Sequence, residues 1–380
     1  MFKVVFYAVI LGLQLFAANH PVQAVIPNCP AHATIDVTLN NGIRWEMCWE
    51  QLSDGGLQLT QISLTPRGGT PTLILGEASL AQVFISYDSD SVVEHLIGNG
   101  SVSLLPLGPA ECPNGVLQNN AVGEAVVCIV VKPRGYAWRG ADQQQGQTLL
   151  VYAVSTFGQN TFIHQWRFDD DGAIRPMLGV SGYFDAKHGG DADTGWPLDS
   201  GATRFISSRS VVAYWRLNFD IGGSADDVVE QFDYTGIGNV RTQTVTAITA
   251  ETSRKLSPAT QRFWRVKDSR ISNGNGRSIS YQVIPVSSAI FRGGETVTQN
   301  DLYVTQYQPC ERYVTHNPAL NGCAENVVNF VNAEIIADPV LWFGSAWHHI
   351  PRDEDEDIIT THWQGLVLIP RDFMTSSPLQ

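Results

Sequence analysis

Short runs of β-branched and aromatic residues, each closed by a cluster of Asn, Asp, Gly or Ser, dominate the chain from residue 33 onward. Ala33 to Leu39, Ile43 to Trp49, Leu57 to Leu64, Leu149 to Ser155, Phe162 to Phe168, Val211 to Asp220 and Ser278 to Ile284 read as strands. Asn40-Asn41-Gly42, Ser53-Asp54-Gly55-Gly56 and Asp169-Asp170-Asp171-Gly172 read as the turns between such strands, the last as a tight hairpin. A 3.6-residue apolar period is scarce; Val327, Val328, Val331 and Ile335 are the one set that suggests a short helix. Many strands at short spacing predict an all-β fold, a large sandwich or barrel. No internal repeat or linker-like stretch divides the chain.

The 380 residues can bury a large core without metal or disulfide help. Ten Trp, eleven Tyr and sixteen Phe supply the surface for it and argue against disorder. With 24 basic against 37 acidic residues the net charge is −13, and no Lys/Arg cluster interrupts it. Nucleic acid is therefore excluded as a partner, since phosphate contacts need clustered cations. The acidic run Asp353 to Asp357 reads as a solvated loop.

At the amino terminus Lys3 precedes an apolar run, Val4 to Phe16, and Val22-Gln23-Ala24 has small residues where a signal peptidase cleaves. Residues 1–24 are expected to be a secretory signal and 25–380 a single domain, secreted to an extracellular or periplasmic compartment and free of the membrane after cleavage. Six cysteines suit an oxidising destination. Six allow fifteen connectivities; sequence proximity favours Cys29 with Cys48, Cys112 with Cys128, and Cys310 with Cys323. No C-x-x-C occurs, which argues against redox or zinc use. Asn99-Gly100-Ser101 is a glycosylation sequon.

None of the nine His lies in an H-E-x-x-H helix, and no nucleophile elbow, P-loop or dinucleotide fingerprint is present. His348 and His349 are adjacent, so on a strand their rings face opposite sides.

Several separate stretches nonetheless carry a resemblance. They are Ala78-Ser79-Leu80-Ala81, Trp166 to Ile174, Tyr214 to Ile221, Phe263-Trp264-Arg265-Val266, Asp301 to Tyr307, Asp338 to Trp342, and His349-Ile350-Pro351-Arg352 with Glu354-Asp355. In order and content they resemble the catalytic domain of the copper amine oxidases, without the small amino-terminal domains of longer relatives. The resemblance implies that family's β supersandwich and a homodimer. It implies a site in which three His hold Cu²⁺, a Tyr is oxidised to topaquinone, and an Asp base helps turn primary amines into aldehyde, ammonia and peroxide. Imidazole suits Cu(II), the quinone is the electron sink, and the base needs reach to the substrate proton.

Carried over residue by residue, this resemblance places Asn160 at the quinone-precursor position, Arg209 and Val211 at the first two copper positions, and His349 at the third. No H-x-H occurs anywhere, and no Tyr lies between Tyr152 and Tyr183, so a shifted alignment restores nothing. Glu94 is the one carboxylate between Asp90 and Glu111 available as a base. His164 and His188 could serve as substitute ligands, though each reads better as a hydrogen-bonded histidine. A peripheral hard-cation site of the Ca²⁺ type is implied at Asn218, Asp220 and Asp338, with the carbonyls of Phe219 and Pro339. The expected protein is a secreted copper amine oxidase-like pseudoenzyme, without quinone or a full copper site, that binds a ligand or serves a structural role. The alternative is a working primary amine oxidase.

Overall fold

In the computed structural model the described residues are 27–52, 56–90, 92–97, 102–139, 143–184, 188–198, 200–223, 226–286, 292–317, 323–355 and 358–379. The expected signal segment 1–24 and the sequon at Asn99 lie outside them.

The chain lays down β1 (Thr34–Thr38), β2 (Arg44–Leu52), β3 (Gly56–Thr65), β4 (Thr72–Tyr87) and β5 (Val93–Leu96), all in a first sheet. Next come β6 (Val116–Asn119), β7 (Ala125–Arg139), β8 (Gln143–Phe157), β9 (Asn160–Asp169) and β10 (Ile174–Gly182), in a second sheet. A small ribbon of β11 (Gly195–Pro197) and β12 (Phe205–Ser207) leads into β13 (Arg209–Phe219), back in the first sheet. Then follow β14 (Asp227–Ile237), β15 (Val240–Ile248), β16 (Thr252–Arg254), β17 (Phe263–Ser272), β18 (Ser278–Pro285) and β19 (Leu302–Gln306). The helix α1 (Val327–Phe330) precedes β20 (Pro339–His349) and β21 (Ile359–Arg371).

Every pairing among these strands is antiparallel. The first sheet runs β1-β2-β3-β4-β13-β20-β19-β16 with β5 on β4, and the second runs β15-β14-β17-β18-β21-β10-β9-β8-β7-β6. The all-β expectation holds, and the strands read from sequence recur with shifted ends: β8 starts six residues earlier, at Gln143, whereas β1 is one residue shorter at each end. The hairpin at Asp169 to Gly172 forms as expected: Asp169 N–H donates to Ala173 O at 2.9 Å, and Gly172 takes φ +86°, open to a residue without Cβ. The helix is shorter than its apolar spacing suggested. It stops at Phe330, leaving Val331 as its C-cap and Ile335 exposed, because only Val327 and Phe330 find a buried face.

The two sheets pack face to face through large aromatics, with Trp45 on Phe168 at 5.1 Å, Trp166 on Trp215 at 5.4 Å and Trp264 on Phe343 at 6.4 Å between centroids. The other face of the first sheet is covered in turn by α1 and its flanking segments, where Val327 and Phe330 meet Tyr303, Val340 and Trp342. Strand β13 is consequently buried along its whole length on both faces. All three local disulfides form, Cys29–Cys48, Cys112–Cys128 and Cys310–Cys323. Among the described residues, no helix is long and apolar enough to cross a membrane.

Candidate functional site at the end of the central strands

Antiparallel register builds a row of side chains across β4, β13 and β20. Arg209 is directly opposite Tyr87 on one side and His349 on the other. Directly opposed residues share a face, so the phenol, guanidinium and imidazole project together. Two residues along, Val211 stands between Ile85 and Trp347 on the same face.

The second sheet contributes Asn160, the first residue of β9. Arg209 Nη1 donates to Asn160 Oδ1 at 2.5 Å, and both residues are buried. Close packing of β9 on β10 holds Asn160 there. Its partner in register is Gly182, at φ +127°, where a Cβ would come within 2.1 Å of Gln159 O. Burial draws the Arg209 pKa down, against the opposing pull of Tyr87, Asp355 and Glu94; a guanidinium stays protonated regardless. The Tyr87 phenol beside it is pushed up, chiefly by burial, with Arg209 opposing and Glu94 adding to the shift.

His349 Nε2 lies 2.9 Å from Asp355 Oδ2. Its ring stacks between Trp347 at 4.7 Å and Phe184 at 6.1 Å. Burial lowers its pKa, opposed by the bond to Asp355 and reinforced by Arg209. A neutral ring that donates its Nε2–H to a carboxylate in a hydrogen bond carries its lone pair on Nδ1. That atom is buried without a hydrogen-bond partner. Asp355 corrects one expectation: it is not part of a solvated loop but 1 % exposed, because His349 and Arg352 both reach it. His348, on the opposite face, meets Asp88 instead.

Sequence reasoning missed Tyr87 and the place of His188. The ring of His188 stacks on Tyr87 at 3.5 Å, with Nε2 3.6 Å from Glu94 and Nδ1 3.8 Å from Asp90. Glu94 thus belongs to the outer wall of the cluster. The signal available for Tyr87 was its place at the end of a strand, just before the turn Asp88-Ser89-Asp90. His164 lies elsewhere: its Nε2 is 2.7 Å from Ser155 Oγ, and burial pushes its pKa down to about 4.

These residues do not fit Cu²⁺ and topaquinone. Val211 offers no donor atom, Arg209 brings a fixed positive charge, and Asn160 has no phenol. Among the described residues no group of three or more His, Cys, Asp or Glu could hold a metal ion.

A second polar centre lies at the other end of β13. Asn218 Oδ1, Asp220 Oδ1 and Asp338 Oδ1 are buried without hydrogen-bond partners, and Asn218 Nδ2 is 3.4 Å from Asp220 Oδ2. Gly76 allows the approach, since a Cβ there would come within 1.9 Å of Asp220 Oδ2. The pKa of Asp220 rises to about 7, from burial first and then from Asp338 and Glu77, with Arg216 opposing. Burial and Glu77 raise that of Asp338 to about 6, again against Arg216. Carboxylate and amide oxygens without hydrogen-bond partners are the donor type that suits a hard cation.

A family model described as copper amine oxidase, enzyme domain, matches residues 118–380. The peroxisomal copper-containing diamine oxidase 1 of Nicotiana tabacum is 24% identical over 289 residues, 67% of this chain and 37% of that protein. The primary amine oxidase of Klebsiella aerogenes is 26% identical over 271 residues, 60% of this chain and 35% of that protein. The chain thus spans little more than a third of the length of these relatives. In three dimensions it resembles the copper-containing benzylamine oxidase of Hansenula polymorpha with a TM-score of 0.73 at 15% identity, covering 95% of this chain and 64% of that one. The amine oxidase of Aspergillus nidulans gives 0.72 at 17%, covering 88% and 52%. Fold and matched sequence agree, and the chain belongs to the copper amine oxidase family.

Proposed function

We propose that this domain does not make topaquinone, does not hold stoichiometric copper, and acts as a binding or structural member of its family. One observation carries the reading: the hydrogen bond from Arg209 to Asn160, which ties together the residues that the resemblance assigns to the first copper position and the quinone-precursor position. A guanidinium repels a divalent ion at short range, by several kcal/mol even at an effective dielectric of about 20. By the resemblance His349 is then the one imidazole left of three, and a single ring nitrogen does not hold Cu²⁺ tightly.

Metal analysis of the purified protein, its visible absorbance and peroxide release on primary amines test this together. The expected result is substoichiometric copper, no quinone band and no peroxide. Peroxide release from the wild-type protein would make it a working amine oxidase by residues other than these.

Three further parts belong to the same reading. Secretion is supported by the amino-terminal signal pattern and the three disulfides. A homodimer is supported by the β14–β15 hairpin, an edge of the second sheet with Ile237 92% and Val240 77% exposed at its tip; light scattering at monomer mass would count against it. A peripheral Ca²⁺ at Asn218, Asp220 and Asp338 is supported by their unpartnered oxygens.

A further inference from the structure

A cavity of about 370 Å³ is framed by the β3–β4 turn of the first sheet, the β17–β18 turn of the second, and the segment after β21. Its apolar lining is Ile271, Ile279, Phe373 and Met374, which continue the main core outward; Ile279 is only 4 % exposed and Phe373 8 %. Among the described residues no Asp or Glu lines it, in a chain that carries 37 of them, and the one charged side chain there is Arg67.

Arg67 is held in this wall by its own turn and by a neighbouring one. Gly69 N–H donates to Pro66 O at 2.8 Å, and Gly68 takes φ +69°, so a tight turn presents Arg67. Its aliphatic stem lies on the bare backbone of the Asn40-Asn41-Gly42 turn, where a Cβ on Gly42 would come within 3.0 Å of Arg67 Cγ. Arg44, Arg134, Arg175, Arg216 and Arg265 each reach a carboxylate within 2.7 Å, whereas Arg67 reaches none among the described residues. The segment after β21 is pinned across the cavity. Asn273 Nδ2 donates to Met374 O at 3.4 Å, Gly274 N–H to Thr375 Oγ1 at 3.0 Å, and Asn41 Nδ2 to Pro378 O at 3.2 Å.

An apolar recess of this size with one charge in its wall orients a small amphipathic molecule. An ammonium head would meet like charge and no acid, and a phosphate polymer needs a row of cations. A carboxylate suits the guanidinium fork, and the hydroxyls of Thr70, Ser272 and Ser376 line the same cavity as further donors.

We propose that this cavity binds a small amphipathic monocarboxylate, with its head on Arg67 and its alkyl chain on Ile271, Ile279, Phe373 and Met374. Asn160, Arg209 and His349 do not line it, so the site stands whether or not copper and quinone are lost.

Methyl NMR of protein labelled at the methionine Cε tests this, with octanoate, octylammonium and octyl glucoside as acidic, cationic and neutral probes of one chain length. Met374 lines the cavity, while Met47 is fully buried in the core and reports that the fold is intact. Octanoate should shift the Met374 signal saturably and leave Met47 in place. The other two probes should bind more weakly by about tenfold, the worth of one charge-assisted pair. Arg67 is exposed, so its variants should keep the Met47 signal of the wild type. Arg67→Gln should weaken octanoate by about tenfold, and Arg67→Lys, which keeps the charge and loses the fork, by less. Arg67→Glu should reverse the order of octanoate and octylammonium. No saturable shift with octanoate, an equal affinity for octyl glucoside or octylammonium, or undiminished affinity in Arg67→Gln would overturn the proposal.

Discussion

Asp355 Oδ2 sits 2.9 Å from Nε2 of His349, a residue only six positions earlier, and this contact turns the connection between the two sheets inward. The bond joins the end of β20 to the loop before β21, fixes which imidazole nitrogen carries the proton, and takes a carboxylate out of water with two partners. Asp355→Ala should therefore destabilise the domain by about 1–3 kcal/mol in urea unfolding, the range for a buried hydrogen bond with one charged partner. Unchanged stability would mean that the carboxylate is solvated after all.

Restoring the family chemistry should need three changes, not one. Asn160→Tyr alone, given Cu²⁺ and oxygen, is expected to stay colourless if, as the resemblance implies, Arg209 and Val211 occupy the metal positions. Asn160→Tyr with Arg209→His and Val211→His should gain copper, read by metal analysis, and with it quinone absorbance. The Val211 change places a ring nitrogen in a fully buried apolar position, at a cost on the order of 1–3 kcal/mol where no metal engages it. Quinone colour in the single variant would show that the metal ligands lie elsewhere.

His164 should make the domain acid-sensitive. Its folded-state pKa is about 4 against 6.5 unperturbed, with burial the cause. The unfolded chain therefore takes up a proton first. Its contribution is fully present above pH 6.5 and is lost as pH falls toward 4, amounting to roughly 3 kcal/mol. His164→Gln should flatten that part of the stability profile; a profile equally steep without His164 would place the acid sensitivity in other groups.

The acids at the far end of β13 act in the opposite sense. With Asp220 raised to about 7 and Asp338 to about 6, the folded protein holds protons that the unfolded chain has released. Without added cation, their contribution is present at acid pH and is lost as pH rises through about 6 to 7. Ca²⁺ should reverse this loss, raising the melting temperature at pH 8 and hardly at pH 5, where both carboxyls are protonated. Asp220→Asn should abolish most of the Ca²⁺ shift. A shift of equal size at both pH values would exclude these two groups as ligands.

Much of the fold was legible because its determinants are local. Alternating β-branched and aromatic runs, the Asp169 to Gly172 turn and cysteines a short distance apart each specify strands, hairpins and staples within a few tens of residues. The family-like stretches likewise kept their order, so Asn160, Arg209 and His349 could be singled out before any contact was known.

What the residues say to one another was not local. Tyr87, Asn160, Arg209 and His349 come from four strands, and they meet because β4, β13 and β20 pair in one register while β9 arrives from the facing sheet. A shift of one residue in that register would turn the whole row to the opposite face. Burial was equally invisible: five acids in a row read as solvated, yet Asp355 is enclosed by His349 and Arg352. The amino-acid sequence by itself determined the strands and the staples. Only the tertiary structure decided which donors of Arg209 would be satisfied and which left open, because that depends on the register of three strands and the approach of a second sheet.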